Sequence, residues 1–242
     1  MAVKYVGVST KAYLGYAQTR DWLAGVRAVL GARPGLPARG VQTFVIPSSP
    51  LIVTARDALD GTGCWIGAQD AHWAAGAATG GVSVGLLAEL GVTVVEVGHA
   101  ERRSIFGETD AQIGWKTAAV LDAGLVPLLC VGEPERVSPV EAAAVCAGQV
   151  RSAVPDGRTA DVILAYEPWW AIGADEPAGA DYVNAVAREL RVLEPRAILY
   201  GGSAGPGTLA PLTELDGVFL GRFAHDPANL ALVLDEAAGL AG

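Results

Sequence analysis

Residues 92–103 read VTVVEVGHAERR, an apolar and mostly β-branched run that ends in Gly98 and is followed at once by a histidine, a glutamate and two arginines. An apolar run of this length, closed by glycine, is typical of a strand that is buried on both faces of a parallel sheet. The charged cluster would then lie at the carboxyl end of that strand. Its role depends on what the rest of the chain builds around it.

Similar runs recur along the whole chain, separated by Ala- and Leu-rich segments with helical spacing. The predicted strands are 3–8, 41–46, 64–69, 92–97, 125–130, 161–166, 196–200 and 217–221. The clearest predicted helices are 19–30, 111–124, 139–150, 181–193 and 228–238. Strands that alternate with helices imply a parallel sheet covered by helices. About eight such units in roughly 250 residues predict an α/β fold, a (β/α)8 TIM barrel formed by residues 1–242 as a single domain.

An open doubly wound sheet is the alternative to the barrel. Such a sheet usually carries a GxGxxG turn after its first strand, whereas the corresponding turn here reads GVSTKAYLG (7–15). The glycine-rich string GGSAGPG (201–207) follows a late strand and lacks the GxGxxG spacing. The barrel is therefore the favoured architecture.

The composition argues against several classes of function. Of the 242 residues, 51% are hydrophobic and 18% are charged, and the net charge of −9 argues against a nucleic-acid surface, which needs a basic stripe. Three widely spaced cysteines predict neither a disulfide framework nor a zinc site. Because we find no secretory signal and no run of about 18 apolar residues, we expect a cytoplasmic protein without a membrane partner.

In a barrel the active site lies at the carboxyl ends of the strands. Lys11, His99 and Glu167 are predicted to follow strands one, four and six. A lysine there can reach a developing oxyanion, and helix N–H groups pointing at the histidine favour its neutral form. The apolar sequence around the glutamate, LAYEPWWAIG, would raise its pKa and suit it to general-base work. The alternatives are a solvated lysine, a structural histidine and a buried glutamate paired to an arginine.

Two glycine-rich turns, Gly201-Gly202-Ser203 and Leu220-Gly221-Arg222, follow strands seven and eight. Barrels commonly hold phosphate here with backbone N–H groups. Glu101, Arg102 and Arg103 predict either an ion-pair network that braces the site or a surface cluster. The histidines are scattered and no carboxylate pair has chelating spacing, so no metal site is predicted. There is also no GxSxG elbow for a serine nucleophile.

With these segments in place, the chain resembles the triosephosphate isomerase family over nearly its whole length. The matching stretches, in the family's order, are VGHAERR (97–103), FGETD (106–110), LLCVGE (128–133), AYEPWWAIG (165–173), YGGS (200–203) and GVFLG (217–221). That family is a standard example of pKa tuning, with a glutamate base, a neutral histidine and a closing loop. The resemblance implies that Glu167 is the base, His99 the electrophile and Lys11 the oxyanion stabiliser, with no cofactor and no metal.

The resemblance also implies the rest of the site. The residues implied to bind the substrate are Ser9, Gly173, Ser203, Gly221 and Arg222, the last through its backbone N–H, and the implied supporting residues are Glu101 and Trp170. The loop from Trp169 to Ala178 would close over a small phosphorylated sugar and exclude water. A homodimer is implied as well.

Several residues depart from the family's pattern and bear on the substrate. Ser9 replaces an asparagine, Arg222 replaces the second glycine of a phosphate-binding pair, and the dimer loop 76–81 lacks a bulky residue and a glutamate. We expect interconversion of dihydroxyacetone phosphate and glyceraldehyde 3-phosphate. The alternative is the four-carbon L-erythrulose 1-phosphate, because Gly221-Arg222 and His72-Trp73 resemble a subgroup that acts on it. A third reading is a non-catalytic paralogue that binds a phosphorylated metabolite.

Overall fold

Eight parallel strands close into a barrel in the computed structural model, which describes residues 3–172 and 178–241. Each strand pairs with its neighbours in sequence order, and the last strand pairs with the first. The strands are β1 (Lys4–Ser9), β2 (Val41–Ile46), β3 (Trp65–Ala68), β4 (Val94–Val97), β5 (Val126–Val131), β6 (Ile163–Tyr166), β7 (Ala197–Tyr200) and β8 (Gly217–Leu220). All eight predicted strands and the predicted TIM barrel are confirmed.

Helices cover the outside of the barrel. Those in the described residues are α1 (Tyr16–Gly31), α2 (Ile52–Leu59), α3 (Val84–Glu89), α4 (Ala100–Phe106), α5 (Asp110–Asp122), α6 (Pro139–Ala153), α7 (Ala180–Leu190) and α8 (Pro227–Leu240), with short 3-10 turns between them. None of them is long and apolar enough to cross a membrane. The five helices predicted from spacing are confirmed.

The regular alternation of strand and helix fails at one connection. Residues 201–216 join β7 to β8 without a helix, although an eight-unit repeat predicts one there. The segment reads GGSAGPGTLAPLTELD, and its glycines and prolines oppose helix formation. The helix that should follow β4 is instead split into α4 and α5, so the count of eight helices is kept.

Side chains alternate between two apolar cores because successive strand residues point to opposite faces. The inner core fills the barrel with residues such as Phe44, Leu128 and Phe219, and the outer core packs strands against helices. Phe44 and Phe219 stack across the barrel with ring centroids 5.8 Å apart. The barrel interior is therefore filled by apolar side chains, and the polar side chains of the cavity lie at the carboxyl ends of the strands.

Candidate active site

Lys11, His99 and Glu167 line one cavity of about 500 Å³ at the carboxyl end of the barrel. They come from the segments after β1, β4 and β6, which are far apart in sequence. The imidazole and the carboxylate are almost fully buried, with side-chain exposures of 5% and 4%, whereas the lysine side chain is 22% exposed. The three residues singled out from the sequence are therefore brought together.

Lys11 is held in a strained backbone conformation. Its φ of 45° is in the left-handed region, which a residue with a side chain adopts at a cost. Its carbonyl oxygen accepts hydrogen bonds from Ser48 Oγ (2.9 Å) and Gln69 Nε2 (2.8 Å). Its Nζ lies 2.8 Å from Glu101 Oε1. Burial lowers the pKa of Lys11, but Glu101 and Glu167 raise it by more, so the ammonium stays charged.

His99 is the N-cap of α4, as the sequence predicts for a residue at the amino end of a short helix. Gly98, with a φ of 71°, turns the chain out of β4 just before it. The backbone N–H of Glu101 donates to Nδ1 of the imidazole at 3.0 Å. Because a backbone N–H can only donate, this contact places the ring proton on Nε2, which lies 3.1 Å from Glu167 Oε2.

The neighbouring carboxylates and the backbone N–H of Glu101 have opposite effects on the pKa of His99. Burial lowers the pKa of this imidazole, but the carboxylates of Glu167 and Glu96 outweigh burial and raise it to about 9. This differs from the neutral form expected from the helix alone, because sequence spacing did not indicate two carboxylates beside the ring. The Glu101 N–H favours the neutral imidazole. When Glu167 takes up a proton, the main influence that raises the pKa of His99 disappears.

Glu167 leaves β6 on a tightly packed backbone and is 3% exposed. Its N–H donates to the Val131 carbonyl at 2.8 Å. Gly201 lies so close that a Cβ there would be 2.4 Å from the glutamate side chain, which explains the glycine. The buried oxygen Oε2 has no aligned hydrogen bond among the described residues, so one acceptor remains available. Within the described part of the chain, the Glu167 carboxylate does not pair with an arginine, which was the alternative prediction; its neighbour is the imidazole of His99.

The glycine-rich turns after β7 and β8 line the same cavity as the three residues. Gly202, Ser203, Gly221 and Arg222 all line it. Ser203 Oγ donates to the Ala171 carbonyl at 3.4 Å. Gly173, also expected to bind the phosphate, lies outside the described residues. The turns therefore face the same space as the lysine, imidazole and carboxylate.

The Arg222 guanidinium lies over the Tyr13 ring, 5.7 Å from its centroid. Tyr13 in turn meets His225 edge to face, with centroids 5.5 Å apart. An arginine at this position therefore gives the part of the cavity formed by the glycine-rich turns a positively charged wall stacked on an aromatic ring.

The ion-pair network expected around Arg102 and Arg103 is present and extends further than the sequence predicts. Arg102 reaches Asp70 at 2.9 Å and Glu108 at 3.5 Å, and Lys116 pairs with the same two carboxylates. Lys116 and Glu108 are buried, whereas Arg102 and Asp70 are partly exposed, so the cluster extends from the surface into the interior. It fixes α4, whose first turn carries the Glu101 N–H that contacts His99.

The family model described as triosephosphate isomerase matches residues 4–237. The chain belongs to the triosephosphate isomerase family, and it is an isomerase. Similar proteins include L-erythrulose-1-phosphate isomerases of Pectobacterium atrosepticum (44% identical, over 96% of this chain and 95% of that protein) and Mesorhizobium japonicum (42%, 92% of each). Another, of Mycolicibacterium smegmatis, is 38% identical over 97% of this chain and 93% of its own length.

In this member of the triosephosphate isomerase family, Glu133 fixes the start of loop 169–178. Its buried carboxylate accepts hydrogen bonds from Trp170 Nε1 (2.8 Å), Tyr182 OH (2.9 Å) and Tyr166 OH (3.2 Å). The supporting position expected at Trp170 is thus tied to a glutamate that the sequence analysis did not single out. The signal was present, because Glu133 is a charged residue only two positions after the end of the buried strand β5.

Glu96 is the second residue that the sequence analysis missed. It is 4% exposed on β4, and Ser9 Oγ donates to its Oε2 at 3.3 Å. Burial raises the pKa of this carboxyl, and although His99 lowers it, the pKa remains raised to about 7. The signal was a single charged residue inside the run VTVVEV, which was interpreted as wholly apolar.

Proposed function

We propose that this protein isomerises L-erythrulose 1-phosphate. The sequence analysis put a three-carbon substrate first and this four-carbon one second. The order is reversed because similar proteins, 36–44% identical over at least 91% of this chain, are named for that activity. Their names describe those proteins, and the transfer to this chain depends on the site.

The proposed reaction moves one proton between adjacent carbons. Glu167 removes the proton from C3, next to the C2 carbonyl, and an enediolate forms between the two carbons. Lys11 and His99 stabilise its two oxygens. A proton is then returned to C2, while the proton of the C3 hydroxyl passes to the oxygen on C2. Because C3 carries a further carbon, the product is a ketose with its carbonyl at C3, and no electrons leave the substrate.

One observation carries the catalytic part of this proposal. Glu167 Oε2 is buried and lacks an aligned hydrogen bond among the described residues, and it lies 3.1 Å from His99 Nε2 in the cavity that Lys11 also lines. A protein that only binds a phosphorylated metabolite does not need a buried carboxylate with a free acceptor oxygen beside an imidazole. Burying such a group costs folding free energy, so its presence requires a reason. The arrangement therefore favours the enzyme over the non-catalytic paralogue.

The phosphate would be held at the opposite end of the cavity. We assign it to the backbone N–H groups at Ser203, Gly221 and Arg222, with Gly173 as a further ligand implied by the family. Ser9, Glu101 and Trp170 keep the supporting or substrate-contacting roles expected of them. In a chain with a net charge of −9, a dianion binds only where such donors converge locally.

We also propose a homodimer in the cytoplasm. An apolar surface formed by Ile105 (71% exposed), Phe106 (66%) and Trp115 (54%) lies next to the loop that carries Trp73, whose ring is 5.2 Å from that of Trp115. Solvent-exposed apolar groups of this size, clustered together, mark an interface. The contact would lie beside the cavity wall that carries Lys11.

A side-by-side assay tests the substrate. We expect kcat/KM for L-erythrulose 1-phosphate to exceed that for dihydroxyacetone phosphate by at least about 100-fold, because a site built for an extra hydroxyl discriminates against a substrate that lacks it. Equal kcat/KM values, or a higher value for dihydroxyacetone phosphate, would favour the three-carbon substrate instead. Absence of turnover with both, while inorganic phosphate still binds, would support the non-catalytic paralogue.

A further inference from the structure

Glu96 is a carboxylate inside an apolar barrel. It points to the same side of β4 as Val94, a member of the inner core, and lies in register with Leu128 on β5. An apolar residue would fill this position without the cost of burying an ionisable group. Among the residues that the structure describes, no lysine, arginine or histidine nitrogen lies within ion-pair distance of its carboxylate, and its hydrogen-bond donor is Ser9 Oγ. Packing alone does not account for this residue.

Glu96 lies on the far side of the reacting groups from the phosphate turns. It lines a second cavity of about 600 Å³, and that cavity shares Ser9, Lys11, His99 and Glu101 with the first one. The phosphate turns line only the first cavity. The ammonium and the imidazole therefore stand between the phosphate end and Glu96.

The atoms of a four-carbon ketose phosphate come in the same order as the phosphate turns, the reacting groups and Glu96. The phosphate is on C1, the reacting carbons are C2 and C3, and a hydroxymethyl group, C4, lies beyond them. With the phosphate at the glycine turns and C2 and C3 beside Lys11 and His99, C4 extends toward the second cavity. A three-carbon substrate ends before this point.

We propose that Glu96 and Ser9 form the subsite that receives the terminal hydroxymethyl group and thereby select a four-carbon over a three-carbon sugar phosphate. The carboxylate accepts the hydrogen bond of the C4 hydroxyl, and the serine hydroxyl, which both donates and accepts, holds the carboxylate in position. A three-carbon substrate leaves a buried polar pair without its partner, and that is the basis of discrimination. This inference rests on the proposed function and names the residues that set its substrate.

The test compares both substrates in the wild type, Glu96→Leu, Glu96→Gln and Ser9→Ala, with inorganic phosphate as a competitive inhibitor. We expect Glu96→Leu to lower kcat/KM for L-erythrulose 1-phosphate by about 100-fold or more. The ratio of the two kcat/KM values, four-carbon over three-carbon, should fall by about 100-fold, while the inhibition constant of phosphate should change by no more than about twofold. Glu96→Gln, which keeps the shape, and Ser9→Ala should give losses in the same direction but smaller. Leu199→Ala, which opens the same inner core without touching the subsite, should leave the ratio of the two substrates unchanged.

The outcomes separate this inference from the proposed function. If the wild type does not isomerise the four-carbon substrate, the proposed function fails and the inference with it. If the wild type does so and Glu96→Leu retains its rate, the inference alone is overturned. An equal loss with both substrates leaves their ratio unchanged and also overturns the inference, because Glu96 would then act through His99 alone and would not select the substrate. If Glu96→Leu does not fold, the substrate ratios measured with Glu96→Gln and Ser9→Ala decide the question.

Discussion

Nε2 of His99 lies 3.1 Å from Oε2 of Glu167, while Nδ1 of the same ring accepts the Glu101 N–H at 3.0 Å. The backbone contact fixes the tautomer, so the proton of the imidazole faces the carboxylate. A carbonyl substrate that enters between Lys11 and Glu167 would find a ring N–H ready to donate to its oxygen. The helix α4, which His99 caps, therefore orients the ring as well as influencing its charge.

Shortening the base should abolish turnover without abolishing binding. Glu167→Asp withdraws the carboxylate by about one methylene, and a displacement of that size costs about 100-fold in rate. We expect kcat for L-erythrulose 1-phosphate to fall by at least that factor, with the inhibition constant of inorganic phosphate unchanged. Steady-state kinetics measures both, and the exposed Glu89→Asp serves as control. A variant with wild-type kcat would remove Glu167 as the base.

Removing the charge at position 167 should change the titration of His99. Burial lowers the pKa of His99 and Glu167 is the largest influence that raises it toward about 9, so Glu167→Gln should lower this pKa. The imidazole of the variant would then lose its proton at a lower pH than in the wild type. NMR titration of the three histidines follows this, with His99→Gln to assign the resonance. An unchanged pKa would show that Glu167 does not act on the ring.

The pH dependence of stability should reveal the buried carboxyl of Glu96. Its pKa is about 7 in the folded protein against an ordinary value of 4.5, so the folded state binds the extra proton between these values. Wild-type stability is therefore lost as pH rises through this window. Glu96→Gln lacks this loss and should gain about 3 kcal/mol relative to the wild type between about pH 4 and about pH 8. Urea unfolding measures it, and a pH-independent difference would contradict the burial of a titrating Glu96.

The apolar surface at α4 should determine the oligomeric state. Phe106→Asp places a charge among the exposed side chains of Ile105, Phe106 and Trp115 and should convert a dimer to monomers. Val192→Asp, at a side chain 78% exposed elsewhere, is the matched control and should remain dimeric. Light scattering after size exclusion gives the mass. A Phe106→Asp variant that stays dimeric would place the interface on another surface.

The barrel could be predicted because each of its strands and most of its helices can be recognised from a short stretch of sequence. Each buried strand is an apolar run, and the helices between them carry their own spacing and caps, such as Thr109 before α5 and Ser138 before α6. The missing helix between β7 and β8 could have been predicted from its glycines and prolines. The expectation of eight strand–helix units led us to overlook the absence of a helix there.

The site was only partly predictable, because its electrostatics depend on which side chains face inward together. Lys11, His99 and Glu167 were indicated by their positions after strands. The influence of Glu96 on His99 was not, because it depends on the register of β4 in the closed barrel and on Ser9 from β1. Likewise, Glu133 acquires its three donors from residues 33 to 49 positions further along the chain. No sequence window contains those contacts.

The most direct measurement of the central claim is proton NMR of L-erythrulose 1-phosphate incubated with the enzyme in D2O. The wild type should convert it to the isomeric ketose phosphate and replace the transferred hydrogen, now on C2, with deuterium from the solvent, because a carboxylate that holds the proton can exchange it. Glu167→Gln should do neither. Conversion at the wild-type rate by Glu167→Gln, or no conversion by the wild type, would contradict the account.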